Sequence, residues 1–411
     1  LAVEAHDAIA TELGITEFSP PAELRVFRAR KAVATRRIRR ETARRHGFAG
    51  YPHKGARALV TGGQGTGKTR TTLEALAVSD APMIVAMLAP TLAKAAEAKR
   101  DYDAMHPARP SILLRGRGAP FGDDGATMCV RATTVERAAR AGVQVRKEIC
   151  ATCPFRDDCA YLDQETELRR MKEAGAGFVA FAASSYLYTP SPLDRADMIV
   201  VDEDAVMKAA KIIEMDPSRI KAAELWTGGA PEDAADRAAD AASILDALTA
   251  HPDRELEALR AAGVDRDRIA ALTRHLVETG DIVPTVEGRM SDAEINRKID
   301  EVERRETGKV LALLATLRRE LKTTRRGTNA VRRDPKRRCV VDGEVEYLPR
   351  IVVHGLRRTA NWVGDRAPIL ALDGTGNVEL ARHVFGDRMT GHRFAVERRM
   401  TVTQTTGKSF S

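Results

Sequence analysis

Short, almost unbroken apolar runs recur along this chain: Ala58-Leu59-Val60, Met83 to Ala89, Ser111 to Leu114, Gly177 to Ala183, Met198 to Val201 and Pro368 to Leu372. A strand with one solvated face alternates apolar and polar residues, whereas these runs do not alternate, as expected of parallel strands covered on both faces. Stretches with apolar residues at helical spacing separate them, so strand and helix alternate, and the pattern predicts an open α/β sheet of the RecA-like kind. Residues 1 to 20 read as a short helix ending at Phe18-Ser19-Pro20-Pro21, and Leu24, Phe27, Ala34 and Ile38 place one apolar stripe on a second helix. From about 207 to 335 the pattern is almost wholly helical, Ala-rich and acidic between Pro231 and Asp246. Arg338 to Tyr347 carries Asp342-Gly343 between alternating segments and predicts a β-hairpin.

The resulting organisation is a basic helical segment at 1–54, core parts at 55–128 and 166–206, a cysteine insertion at 129–165 and a helical lobe at 207–337. A hairpin and a final core part follow at 338–411. No internal repeat is evident.

Chemistry enters at the end of the first strand. Thr61 is followed by Gly62-Gly63-Gln64-Gly65-Thr66-Gly67-Lys68-Thr69, in which Gly62, Gly67, Lys68 and Thr69 fit G-x-x-x-x-G-K-[ST] between a strand and a helix. Gly62, Gly63, Gly65, Thr66 and Gly67 let backbone N–H groups converge on phosphate oxygens, with the helix N-terminus adding partial positive charge. Lys68 is placed to reach the β and γ phosphates of ATP, and Thr69 to ligate Mg²⁺. The alternative is a Gly-rich surface turn. Met198 to Val201 ends in Asp202-Glu203, which puts Asp202 at the carboxyl end of a buried strand, where it can hold Mg²⁺ through water. Glu203 beside it can orient and deprotonate an attacking water.

The cysteines add a second candidate site. Cys129 is followed by Cys150-Ala151-Thr152-Cys153 and then Cys159, a distant thiol, a C-x2-C pair and a fourth after a short spacer. Four thiolates suit a [4Fe–4S] cluster or a structural Zn²⁺, and ligand chemistry alone leaves both open, with buried core thiols as the third account. Cys339, far away, reads as an ordinary buried thiol.

Charge is uneven. The 411 residues carry a net charge of +8, with 30% charged, 43% hydrophobic and only 4% aromatic residues. Basic residues crowd between Arg25 and Arg45 and again between Arg318 and Arg338, where Gly327-Thr328-Asn329 suggests a basic loop. Both stretches are candidate phosphate contacts on nucleic acid, weighed against solvated charge. No apolar run is long enough to span a membrane, Leu1 to Asp7 lack the basic then apolar order of a signal peptide, and the expectation is a cytoplasmic protein. The start on Leu1 suggests part of a longer protein.

In this order the motifs resemble the first motor domain of superfamily 2 DNA helicases of the iron–sulfur type, typified by the XPD and DinG families. GGQGTGKT stands as motif I, LAPTLAKAAE as motif Ia, VVDEDA as motif II in place of DEAH, and LDGTGN as motif III, with the four cysteines between motifs I and II. The resemblance implies a P-loop ATP hydrolase acting with Mg²⁺ on single-stranded DNA. It favours a [4Fe–4S] cluster on Cys129, Cys150, Cys153 and Cys159 over Zn²⁺. It also implies that Thr375 links the γ-phosphate state to DNA. Ala205 replaces the last His of DEAH, which keeps open a DNA-binding ATPase switch that does not unwind; a zinc-stabilised nucleic-acid module with a vestigial motor is the other alternative. The resemblance also implies a second RecA-like domain beyond Ser411, weak activity of residues 1–411 alone, and a phage or mobile-element type of helicase.

Overall fold

The computed structural model describes residues 56–393, except 63–66, 80, 123–124, 190–192, 194–195, 204–207, 228–230, 280–281, 342–343, 358, 361, 364–366 and 375. The basic N-terminal segment, Gly63, Gly65, Thr66, Ala205 and Thr375 therefore lie outside the described residues. In chain order the elements begin with β1 (Arg57–Thr61), α1 (Lys68–Val78), β2 (Ile84–Ala89), α2 (Leu92–Asp103), β3 (Ser111–Leu114), α3 (Ala132–Arg140), α4 (Val145–Glu148) and α5 (Ala160–Ala174). They continue with β4 (Phe178–Ala183), β5 (Met198–Asp202), β6 (Ala210–Met215), α6 (Pro231–Ala250), α7 (Glu255–Ala261), α8 (Arg266–Thr279), α9 (Asp292–Arg305) and α10 (Thr307–Glu320). Last come β7 (Val331–Val341), β8 (Glu344–Leu356), β9 (Ile369–Asp373), α11 (Val378–Phe385) and β10 (Met389–Arg393).

These elements form two compact units. Among the described residues one takes those up to Arg115, Glu165–Ala209 and those after Arg357; the other takes Gly116–Gln164 and Ala210–Arg357. The first is built on a seven-stranded sheet in the order β10-β1-β9-β5-β2-β4-β3, every pair parallel, an α/β architecture compatible with a RecA-like fold. Successive side chains of a strand point to opposite faces, and both faces here are covered. Ile84, Ala86, Leu88, Phe178, Ala180, Ile199 and Ile369 enter one core with Leu168, Ala381 and Phe385 from α5 and α11. Their neighbours Val85, Met87, Val179, Phe181, Val200 and Leu370 enter another with Leu73, Leu76 and Tyr102 from α1 and α2. That double burial is why the runs are apolar without alternation. Gly177, at φ +77°, leads into β4; a Cβ there would stand 2.5 Å from the backbone N and O of Met83, so only glycine lets the two strands start side by side.

The second unit carries a three-stranded antiparallel sheet, β6-β8-β7. Its inner face, with Met215, Val331, Ile351 and Val353, packs into a core shared with Trp226, Ile244, Leu256, Leu272 and Leu313 of the helical region. A smaller core joins Val135, Ala138, Ile149, Ile295 and Ile299 of α3, the α4 region and α9. At the start of α9, Ser291 accepts from the Glu294 N–H and the Glu294 carboxylate reaches back to the Ser291 N–H, a reciprocal cap legible as Ser-x-x-Glu.

Two expectations are corrected here. The region 207–335 is not wholly helical, since Ala210–Met215 forms β6, and the basic residues from Arg332 to Arg338 lie in strand β7 rather than a loop. Ile212-Ile213 is too short a run to mark a strand by itself; its ladder comes from β8, as Ile212 pairs with His354. In β7, Pro335 and a register shift between Asp334 and Arg337 break the period. The hairpin around Asp342-Gly343 is thus longer than 338–347 and belongs to the second unit. No helix among the described residues is long and apolar enough to cross a membrane.

Candidate functional site

Because the sheet is parallel, every strand of the first unit ends on the same edge, and β1, β9 and β5 stand consecutively along it. Register makes this close: Val60 pairs with Leu372, and Leu372 with Asp202 on its other side. β9 alone separates β1 from β5.

Gly67 precedes α1 at φ 78°, ψ 12°, a left-handed conformation that glycine adopts freely. No side chain caps α1. Orphan N–H groups of a first helical turn, with the helix dipole behind them, favour an anion. The Lys68 ammonium donates to the Gly62 carbonyl at 2.9 Å and so lies back across the loop. The Thr69 hydroxyl donates to the Asp202 carboxylate, standing 2.8 and 3.0 Å from its two oxygens.

Burial pushes the Asp202 carboxyl above the ordinary carboxylate range, and the Glu203 charge adds to that. The Thr69 hydrogen bond, Lys68 and Lys94 oppose it. Glu203 itself sits at φ 54°, left-handed for a residue with a Cβ, while its N–H continues the ladder to the Leu372 carbonyl at 2.7 Å. Such a conformation costs about 1–3 kcal/mol and persists where its surroundings enforce it.

Two further lysines reach this edge without having been assigned a role from sequence. Lys94 lies in the first turn of α2, where Thr91 caps its N–H at 3.2 Å. Its ammonium holds Glu97 at 2.8 Å, and the charges of Glu203 and Asp202 also act on it. Lys208 donates to the Pro90 carbonyl and, at 2.9 Å, to the Ser184 hydroxyl, tying the segment after β5 to the ends of β2 and β4. A basic residue a turn after a strand is the faint signal that each left.

The cysteines lie in the second unit. Cys129, Cys150 and Cys159 are close enough for their charges to act on one another, and burial pushes the Cys129 and Cys150 thiols up. The Arg117 guanidinium opposes this on both and stacks over Tyr161 at 4.1 Å from the ring centroid. Gly288 backs the loop carrying Cys150 and Cys153. A Cβ at Gly288 would fall 1.9 Å from the Ile149 carbonyl oxygen and 2.7 Å from the Cys153 N, and its N–H donates to the Glu148 carbonyl at 3.0 Å. Arg131, buried, fixes that backing strip with bonds to Asp292 at 2.5 Å, Gly288 at 2.6 Å and Met290 at 2.7 Å. Cys339 stands on β7, half-buried rather than buried as expected from sequence.

Chemically, Thr69 and Asp202 offer the hard oxygen donors that Mg²⁺ takes. The thiol set offers the soft donors that an iron–sulfur cluster or zinc takes. Among the described residues, no three His, Cys, Asp or Glu side chains stand at metal-holding geometry, so the thiols share a region without being drawn into a ligand cage. No protein-family model matches the chain, and no curated protein matches it either.

The raised Asp202 pKa has a stability consequence. The folded carboxyl holds its proton more tightly than the unfolded one, so stability falls as pH rises from the ordinary carboxylate range through the folded pKa, and the full cost is present above it. Asp202→Asn is therefore expected to raise the melting temperature of the nucleotide-free protein at pH 7, with the gain shrinking towards acid pH. Thermal melts across that range check it; no gain at pH 7 contradicts the account.

Proposed function

We propose that this chain is the ATP-binding motor part of a DNA helicase or translocase of the superfamily 2 iron–sulfur kind. The observation that carries the reading is the hydrogen bond from Thr69 to Asp202, which brings the last residue of the P-loop motif onto the acid that ends β5. P-loop NTPases hold Mg²⁺ between that Ser or Thr and that Asp. In this reading the loop from Gly62 to Gly67 cradles the phosphates, with Gly63, Gly65 and Thr66 in its middle, and Lys68 turns from the Gly62 carbonyl to the β and γ phosphates. Mg²⁺, when bound, neutralises charge developing on the phosphate oxygens. Glu203 takes a proton from water as the water oxygen bonds to the γ-phosphorus, and the bond to the β-phosphate oxygen breaks to release ADP and phosphate. Glu203 leaves the strand in a left-handed backbone conformation directly after Asp202 ends it. Lys94, acted on by both carboxylates, tempers their mutual repulsion.

The basic stretches support a nucleic-acid substrate, and single-stranded DNA is the substrate the resemblance implies. Cys129, Cys150, Cys153 and Cys159 would hold the [4Fe–4S] cluster, with Zn²⁺ as the alternative; a cluster there would supply a rigid cross-link within the second unit. Ala205 favours a second reading, a DNA-binding ATPase switch that does not unwind, and unwinding of a forked duplex by the full protein separates the two.

Titration with ATP tests the site. Binding is expected to require Mg²⁺, and Lys68→Ala is expected to weaken it about ten- to a hundredfold, the worth of a charge-assisted contact to phosphate. Equal affinity of the variant and the parent contradicts the proposal. For the cysteines, anaerobically purified protein is expected to be brown with a broad visible absorption that bleaches on reduction; a colourless protein carrying one zinc per chain contradicts the cluster, since Zn²⁺ is d¹⁰ and has no such band.

A further inference from the structure

The hairpin of β7 and β8 outruns its own sheet. β6 pairs with β8 only from Ile351 to Leu356, so Glu344 to Leu348 of β8 have β7 as their one described neighbour. Register sets the faces of this outer part: Arg338 lies opposite Tyr347, and Val340 opposite Val345, which puts these four side chains together on one face. Further in, the same face of β8 carries Ile351 and Val353 into the helical core. Beyond the core the face stays apolar, but its cover ends. Val340 is 68% exposed, Tyr347 64% and Val345 48%. Glu346, paired with Cys339, and Glu344 stand on the opposite face.

The charges are arranged to match. Between Val331 and Val341 there are Arg332, Arg333, Lys336, Arg337 and Arg338 against Asp334 alone. Arg337 is engaged by Glu214 and Asp334, whereas Arg332, Lys336 and Arg338 have no ion pair among the described residues. Edge strands commonly carry Lys and Arg to block pairing with other chains. That accounts for the cations and not for a tyrosine and two valines held in water beside them, which on an edge invite association. Glu214 and Asp334 border the same groove, but both are held by Arg337. A two-stranded arm with an aromatic ring, flanking apolar side chains and the cations Lys336 and Arg338 offers what a single nucleic-acid strand needs: a surface on which a base stacks and cations that meet its phosphates.

We propose that the outer face of the β7–β8 hairpin is a contact surface for single-stranded nucleic acid, with Tyr347 stacking on a base, Val340 and Val345 extending that platform, and Arg338 and Lys336 taking phosphates. The proposal rests on the reading of the chain as a nucleic-acid motor, and it names an arm that the P-loop chemistry neither uses nor requires. A protein partner would be met by the valines and the ring, but Lys336 and Arg338 beside them, without ion pairs among the described residues, favour a polyanion.

Fluorescence anisotropy of the 411-residue protein with a labelled oligo-dT strand tests it, each variant being accepted only if its melting curve matches the parent. Tyr347→Ala is expected to weaken binding about tenfold or more, and Tyr347→Phe to retain it, because the ring and not the hydroxyl stacks. Arg338→Ala is expected to reduce the slope of log affinity against log salt by about 0.7, one single-strand phosphate contact. Crosslinking of the unmutated protein to a bromodeoxyuridine strand is expected to label the peptide containing Tyr347. If the parent binds the strand and Tyr347→Ala binds equally well, with no label at that peptide, the arm proposal is overturned while the nucleic-acid reading stands. If the parent binds no strand, both fall. If Tyr347→Ala instead converts a sedimenting dimer to monomer with strand binding intact, the face pairs with a second copy and the proposal is overturned.

Discussion

The hydrogen bond from Thr69 to Asp202 joins groups 133 residues apart in the chain, and most of the first unit can be understood as what brings them together. β1 and β5 are not neighbours; β9, which arrives late in the sequence, lies between them and pairs with both. Two inter-strand spacings of about 4.8 Å separate β1 from β5. The loop and first turn of α1 must bridge that gap to lay Thr69 on the acid. The bridge holds because all three strands are parallel and level, and that in turn requires a sheet buried on both faces. Double burial, strand order and the polar pair are links of one chain of causes.

The same arrangement has a cost. Asp202 is half-sequestered from water, the Glu203 charge further disfavours its ionised form, and Glu203 also adopts a backbone conformation that residues with a Cβ avoid. A chain selected only for stability would place neither feature at the end of a buried strand. On the proposed reading, a bound divalent cation and phosphate chain would offset both. Lys68 and Lys94 supply part of that counter-charge within the unit, and Lys208 fixes the neighbouring turn by holding the ends of two strands.

The core strands of the first unit were legible in sequence because double burial removes the ambiguity of alternation; β2, with all six residues buried, is the clearest case. Lys68 and Thr69 stood out as candidates because the P-loop pattern fixes residue types at short spacing, and Asp202 because a buried apolar run ends on it; the structure brings Thr69 and Asp202 together. What sequence did not reveal depends on distant partners. β6 is a strand because β8 pairs with it from more than a hundred residues away, and β7 conceals its period behind Pro335 and a bulge. Lys94 and Lys208 matter through where α2 and β5 end, which no local spacing encodes. Arg131 and Gly288 support the cysteine loop across a separation of 157 residues. The cysteine spacing raised a metal site, while the placement of the thiols leaves them grouped but not caged among the described residues.

The central claim is that Thr69 and Asp202 act as one unit on a metal-bound nucleotide. A double-mutant cycle on Mg·ATP binding measures this directly, using Thr69→Ala, Asp202→Ala and the pair. The account predicts that the two losses overlap, with a coupling of about 1 kcal/mol or more, as found for residues that share one network. Losses that add within about 0.5 kcal/mol, the behaviour of independent sites, contradict it.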